Sequence, residues 1–317
     1  MHLILLKIIK FAGICIYCII YDDSRVPLKK ERLILILKKK LMTRIPVLLT
    51  ATMAFYLTAD AQYYYKDLIS NRQLVEEMNK LKEQKVRSVS VKSYEDDGSP
   101  SDGFFCEKTI SKSFGKVETF TRSNVTGASQ FISYFNKNGL LEKTIDSSAI
   151  SVTTVVYAYD EKDRIKNIRS QIRSNDDDFT SEIQEDHRYE YNNKGQVQKL
   201  IRIKNSTDTA IVLFSMDDNE NVSIEKDTKS GNSYYYYYDS KKRLTDIVHL
   251  NAFNNKMLPD YIFEYNPAGQ VVQMTTTEEG SSYYYIWKFI YDNGLRIREK
   301  CFSKEKRLMG TIEYEYK

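Results

Sequence analysis

Glycine, proline, cysteine, histidine and tryptophan are all scarce in this chain of 317 residues, at 12, 5, 4, 3 and 1. With 42% hydrophobic residues and 47 Lys+Arg against 43 Asp+Glu, it is too apolar and too evenly charged for a disordered or collagen-like polymer. It is long enough to bury one or two cores. No glycine-rich phosphate loop occurs, and no Gly-x-Ser-x-Gly elbow. Beyond residue 61 the only histidines, His187 and His249, stand apart without metal-ligand spacing and read as strand or surface residues. The sequence therefore assigns no catalytic, metal or cofactor residue, and no cofactor is expected.

What the chain has in excess is tyrosine, 25 residues, within an aromatic content of 13%. Aromatic side chains suit a half-buried pleated surface, so the composition points to β structure.

The leading residues differ in kind. Residues 1–61 carry ten of the cations and four of the acids, which leaves 37 basic and 39 acidic residues for 62–317 and a formal charge of −2. A chain of that sign does not offer nucleic acid a basic field, and no nucleic-acid partner is expected. Met42-Thr43-Arg44, the apolar run Ile45 to Leu57 and the small residues Ala59 and Ala61 read as a signal peptide over 42–61, with cleavage before Gln62. An apolar run of that length spans a hydrocarbon core of ~30 Å poorly, so no stable membrane span is expected in the mature chain. Residues 1–41 are taken as an upstream extension, with translation starting at Met42; the alternative is an N-terminal membrane helix with a basic flank. The mature protein is expected in the periplasm, at the outer-membrane surface or outside the cell. There Cys106 and Cys301 could pair, or remain two buried thiols.

From residue 130 to 317 one pattern recurs: aromatic, any, aromatic, Asp or Asn, polar residues, often Gly, then an aliphatic. The Asp/Asn positions are Asn136, Asp160, Asn192, Asp217, Asp239, Asn266 and Asp292. A period in the twenties marks a repeat architecture. Rings at i and i+2 share one face of a strand, the Asx side chain starts a turn, Gly139, Gly195 and Gly269 supply positive φ, and the aliphatic opens the return strand. Every copy is thus a β-hairpin. Polar inserts at 174–178 and 251–259 should be loops at the opposite edge.

Tyr157-Ala158-Tyr159-Asp160-Glu161-Lys162-Asp163-Arg164-Ile165 and Tyr236-Tyr237-Tyr238-Asp239-Ser240-Lys241-Lys242-Arg243-Leu244 resemble the YD repeat, of Rhs type, found in bacterial secreted and cell-surface proteins. In that family long arrays build a hollow β-shell around a toxin. This chain carries seven copies with no passenger domain behind them, so the resemblance implies the hairpin architecture without the toxin-delivery role.

Ahead of the repeats, residues 62–129 should contain one amphipathic helix over 68–84, with Leu74, Val75, Met78 and Leu81 on one stripe, and then the first strands. Phe104 to Phe120 is expected to form two more strands around Phe114-Gly115. Asp217, Asn219 and Asn221 have calcium-loop spacing, but Val222 and Thr228 break the loop, and the residues coincide with a repeat turn. Tyr283, Tyr285, Trp287, Phe289 and Tyr291 should form a core face. Tyr235, Tyr237 and Tyr284, of opposite parity, could stack on a sugar or a partner.

The expected fold is all-β: an antiparallel meander of hairpins, curled into a barrel-like or shell-like form or packed as two layers, with one N-terminal helix. The expected function is non-enzymatic binding of a carbohydrate or another envelope protein; the alternative is a secreted hydrolase of a polymer.

Overall fold

Alternation of ring and polar residue gives each aromatic segment two unlike faces, one for a core and one for water. The computed structural model describes residues 9–11, 14–16, 62–175, 182–251, 256–277 and 283–317. Two short strands, β1 (Ile9–Phe11) and β2 (Ile14–Ile16), pair with each other. Next come a π-helical turn, Tyr64–Ile69, and α1, Ser70–Glu83. The strands that follow are β3 (Ser88–Tyr94), β4 (Phe105–Ile110), β5 (Lys116–Ser123), β6 (Gly127–Phe135), β7 (Leu141–Ser148), β8 (Ser151–Tyr159), β9 (Ile165–Ser174), β10 (Glu182–Tyr191) and β11 (Val197–Lys204). They continue as β12 (Asp208–Met216), β13 (Val222–Asp227), β14 (Ser233–Tyr238), β15 (Leu244–Asn251), β16 (Lys256–Tyr265), β17 (Val271–Thr277), β18 (Tyr284–Asp292), β19 (Leu295–Phe302) and β20 (Leu308–Tyr316). The signal peptide read over 42–61 lies outside the described residues. No described helix is long and apolar enough to cross a membrane.

From β3 to β20 every strand pairs antiparallel with its sequence neighbours, and β20 returns to β3 with Tyr314 opposite Val91. The eighteen strands therefore close into a barrel, which leaves neither β3 nor β20 with a row of unpaired backbone groups. Reversals after even-numbered strands, where the Asp/Asn positions fall, gather at one rim. The connections of variable length gather at the other.

Eighteen strands enclose more space than their own side chains fill. The N-terminal segment occupies part of it. Tyr63 and Tyr65 are buried with Tyr189, Leu200, Val212, Phe214, Tyr236, Ile247, Phe263, Trp287 and Phe289 of the repeat strands. Further along, Met78 and Leu81 of α1 are buried with Val89, Val91, Cys106, Ile110, Phe135, Leu141 and Tyr314. The outward positions carry ion pairs instead, among them Arg169 with Asp186, Lys199 with Glu190, and Arg298 with Glu313. Lipid-embedded barrels present an apolar band at these outward positions. Here most of the repeat rings point inward, and the outward positions mix ion pairs with exposed apolar residues such as Phe105, Phe120, Ile211, Leu213 and Ile290.

Three expectations need correction, and one open alternative is decided. Lys256 to Pro259, read as loop, belong to β16; Pro259 fits because the ladder with β15 slips beside it, between Ile247 and Val248, a bulge that removes the need for its missing N–H. Tyr283, read as core, is 54% exposed because it precedes β18 at the rim, whereas Trp287 and Phe289 are buried. The helix starts earlier than the apolar stripe shows, through the π-helical turn. Finally, Cys106 and Cys301 are separate buried thiols. They sit on β4 and β19, with β3 and β20 between, so three ladder steps of ~4.8 Å alone separate them by about 14 Å across the sheet, beyond disulfide reach.

Candidate functional site

The chemistry of the barrel is concentrated at the rim of tight turns and in the lumen beneath it. At Asn136, Asp160, Asn192, Asp217 and Asp239 one side-chain oxygen accepts the backbone N–H groups two and four residues ahead. Asn266 Oδ1 accepts from the Gln270 N–H at 3.0 Å. The fourth residue matches the first. Asp160 and Asp239 take Arg164 and Arg243, each Nε at 2.7 Å, whereas Asn192 and Asn266 take Gln196 and Gln270 at 2.7 and 2.8 Å. The Arg164 guanidinium holds the Asp160 carboxyl down at about 2. Asp217 is bound by the Asn219 and Asn221 N–H groups and the Asn221 amide, which accounts for the calcium-like spacing as a turn. The last copy is shorter. Asp292 ends β18 opposite Leu295, and Asn293-Gly294, at φ 47° and 84°, make a two-residue reversal.

A second bond recurs that sequence reasoning missed. Wherever the second aromatic position of a copy is tyrosine, its hydroxyl donates to a carbonyl at or near the start of the preceding return strand. Tyr159 donates to Leu141, Tyr191 to Ile165, Tyr238 to Val222, Tyr265 to Leu244, Tyr291 to Val271 and Tyr316 to Arg296, at 2.6 to 2.8 Å. The choice of tyrosine over phenylalanine at this position was the available signal. Arg164 and Arg243 then lie over the rings of Tyr191 and Tyr265, with 4.3 and 4.6 Å from guanidinium to centroid.

Between α1 and this stitched wall lies a cavity of about 450 Å³. One side is α1, with Arg72, Gln73, Glu76 and Lys80; the other is the wall, with Tyr238, Arg243, Tyr265, Gln270, Tyr291 and Arg296. The wall tyrosine hydroxyls are already engaged in the stitches, so these residues offer ring surface while arginine, glutamine and asparagine offer donors. Burial pushes the Tyr265 hydroxyl up to about 12, against the opposing pull of Arg243, so it stays protonated at neutral pH. Beneath the rim, Arg296 donates to Glu299 at 2.8 Å, Tyr314 donates to the same carboxylate at 2.6 Å, and the guanidinium covers the Phe289 ring at 4.4 Å.

Deeper in the lumen the N-terminal segment is held by charge. Asp67 accepts from His187 Nδ1 at 2.5 Å and from the Tyr189 hydroxyl at 2.6 Å, while the other histidine nitrogen meets Glu185 at 2.6 Å. Burial alone would favour the neutral ring, but the carboxylates of Asp67 and Glu185 outweigh it and hold His187 up at about 10. The imidazolium is a fastener, with both nitrogens occupied. Sequence reading took His187 as an isolated strand residue. Its signal was parity, since Glu185, His187, Tyr189 and Tyr191 alternate onto one face and place polar groups among core rings. Glu225, 0% exposed, accepts the backbone N–H groups of Gln62 and Tyr63 at 2.9 and 2.8 Å, that of Tyr64 at 2.9 Å and the Tyr236 hydroxyl at 2.7 Å.

Tyr235, Tyr237 and Tyr284 lie on the outer face, Tyr237 half exposed and the other two half-buried. They do not meet. β14 and β18 are four ladder steps apart, about 19 Å, and Tyr284 instead faces Lys304, 5.8 Å from its centroid. His249 pairs with Asp260 at 2.9 Å. Among the described residues no cluster of three histidine, cysteine or acidic side chains could hold a metal.

No protein-family model and no curated protein matches the chain. Among solved structures it is similar to a porin-like protein from Bacteroides uniformis, at 8% identity over 73% of this chain and 98% of that one, with a TM-score of 0.36. A porin-like protein from Bacteroides vulgatus aligns at 14% identity over 73% and 98%, with a TM-score of 0.27. The chain also aligns with a TcdB2-TccC3-TEV structure at 13% identity, covering 67% of this chain but only 12% of that one, with a TM-score of 0.30.

Proposed function

We propose that the protein is an exported, non-enzymatic YD-repeat-type barrel of the cell envelope or its surroundings, and that it binds an acidic saccharide in the rim cavity. The carrying observation is the cavity itself. Its volume of about 450 Å³ falls within the range of small-ligand sites, and it opens where tyrosine rings, amides and arginines converge. Sugar rings stack on aromatic surface while their hydroxyls seek donors and acceptors. Of the six lysines and arginines in the lining, Lys108, Arg243 and Arg296 already pair with Glu77, Asp239 and Glu299, and Arg72, Lys80 and Lys242 against Glu76 favour a carboxylated or otherwise anionic sugar. The ion pairs that punctuate the outer wall, such as Arg169 with Asp186 and Arg298 with Glu313, favour a water-facing barrel over a lipid-embedded one. His187 supports binding over hydrolysis, because both of its nitrogens are taken by carboxylates that hold the plug.

A glycan array probed with the exported protein tests this reading. Binding to acidic saccharides without product release is expected. Arg72→Ala, on the solvent side of α1, should weaken binding about tenfold or more, in line with the loss of one charged hydrogen bond. Tyr237→Ala on the outer wall should leave binding unchanged. Binding lost in Tyr237→Ala and kept in Arg72→Ala would move the site to the outer face. Release of reducing ends would instead establish the hydrolase.

A further inference from the structure

Glu225 is a carboxylate with no exposure, and all four of its partners are neutral: three backbone N–H groups and one hydroxyl. No lysine, arginine or histidine among the described residues forms an ion pair with it. Burial pushes the Glu225 carboxyl up despite its four donors, and a cation beside it would offset that cost and favour the charged form. The first of these backbone nitrogens along the sequence belongs to Gln62, 2.9 Å from Oε1. In the sequence, Gln62 directly follows the small residues Ala59 and Ala61 that mark a signal-peptidase site. Two independent readings, one of a cleavage pattern and one of a fully buried carboxyl with no cation among its partners, thus meet at a single nitrogen.

We infer that cleavage after Ala61 makes the Gln62 nitrogen an α-ammonium group, and that Glu225 is its receptor inside the barrel. Hydrolysis breaks the Ala61–Gln62 amide with one water, giving a carboxylate on the released leader and an amine on Gln62 that takes up a proton at neutral pH. The new cation completes the Glu225 site and seats the segment 62–69, with Tyr63 and Tyr65 buried behind it. The uncut chain has only a neutral amide at this position. Removal of the leader therefore does more than release the protein: it supplies the charge that locks the plug. This inference rests on export of the chain and is independent of what the rim cavity binds.

The first test is intact mass and N-terminal sequencing of the exported protein. A start at Gln62 with a free amine is expected; a start elsewhere, or a cyclised Gln62, overturns the assignment. The second test is a thermal double-mutant cycle. One variant inserts Gly-Ser between Ala61 and Gln62, so that the processed chain begins two residues earlier and the ammonium is displaced. The other is Glu225→Gln. Each alone should lower the unfolding midpoint by about 10 °C, as for one broken buried ion pair in a chain of this size. Together they should lose clearly less than the sum of the two. Additive losses would mean that Glu225 serves only as an acceptor for amide N–H groups, and would overturn the charge pairing even where one variant folds poorly.

Discussion

The two walls of the barrel hold the same N-terminal segment by different means. The repeat wall, β8 to β19, meets residues 62–69 with rings and with charge: Glu225 on the first backbone amides, His187 and Tyr189 on Asp67. The leading wall, β3 to β7, has small hydroxyl side chains at several buried inward positions, Thr119, Thr121, Ser133 and Thr144. It gains apolar cover from α1, through Met78 and Leu81, and one ion pair, Lys108 to Glu77 at 2.6 Å. The repeat wall is stitched to itself by tyrosine hydroxyls and needs the plug least. The leading wall has fewer rings of its own and needs it most.

Removing apolar cover from α1 puts that contrast to its strongest test. Leu81→Ala, at a site 2% exposed, should cost about 3 to 4 kcal/mol. Hydrogen exchange should quicken most in β3 to β7; equal quickening in β10 to β17 would erase the distinction between the walls.

Alkaline titration comes next and attacks the other grip. His187 titrates near 6.5 when unfolded and near 10 when folded. A group whose folded value is raised contributes fully below its unfolded value, so this fastening is complete below about pH 6.5 and declines as the pH climbs toward 10. Denaturant midpoints of the wild type should fall over that window beyond the fall seen in His187→Gln. Parallel curves would show that the imidazolium holds nothing.

A smaller loss is expected from Tyr265→Phe. It leaves the Leu244 carbonyl without its hydroxyl partner and should cost about 1 to 2 kcal/mol by chemical denaturation. Phe135 and Met216 stand at the same repeat position without a hydroxyl, so Met216→Phe should cost clearly less; a similar loss at both sites would assign the effect to packing alone.

The smallest effect is a gain. Lys242 adopts φ 59° at the turn position where Gly139, Gly195 and Gly269 sit at 80° to 84°. Lys242→Gly should relieve left-handed strain worth about 1 to 2 kcal/mol, offset in part by greater freedom of the unfolded chain, for a net gain of about 0.5 kcal/mol. A loss would show that the lysine contact to the Asn219 carbonyl matters more.

Local chemistry was legible in the one-dimensional chain. Period-two rings, an Asx residue after them and an aliphatic after that dictate a hairpin, because strand parity and turn hydrogen bonds act over at most a few residues. The amphipathic stripe of 68–84 was legible for the same reason. Closure was not, since pairing β20 with β3 joins Tyr314 to Val91 across most of the described chain, and no short-range pattern encodes it. Nor could spacing reveal that α1 would fill the lumen, or that Asp67 would find His187 and Gln62 would find Glu225. Those meetings depend on the radius of an eighteen-stranded barrel, which leaves a space that only another part of the chain can fill. Repeats and turns follow from neighbours along the backbone. The plug, its buried charges and the rim cavity follow from the ring being closed.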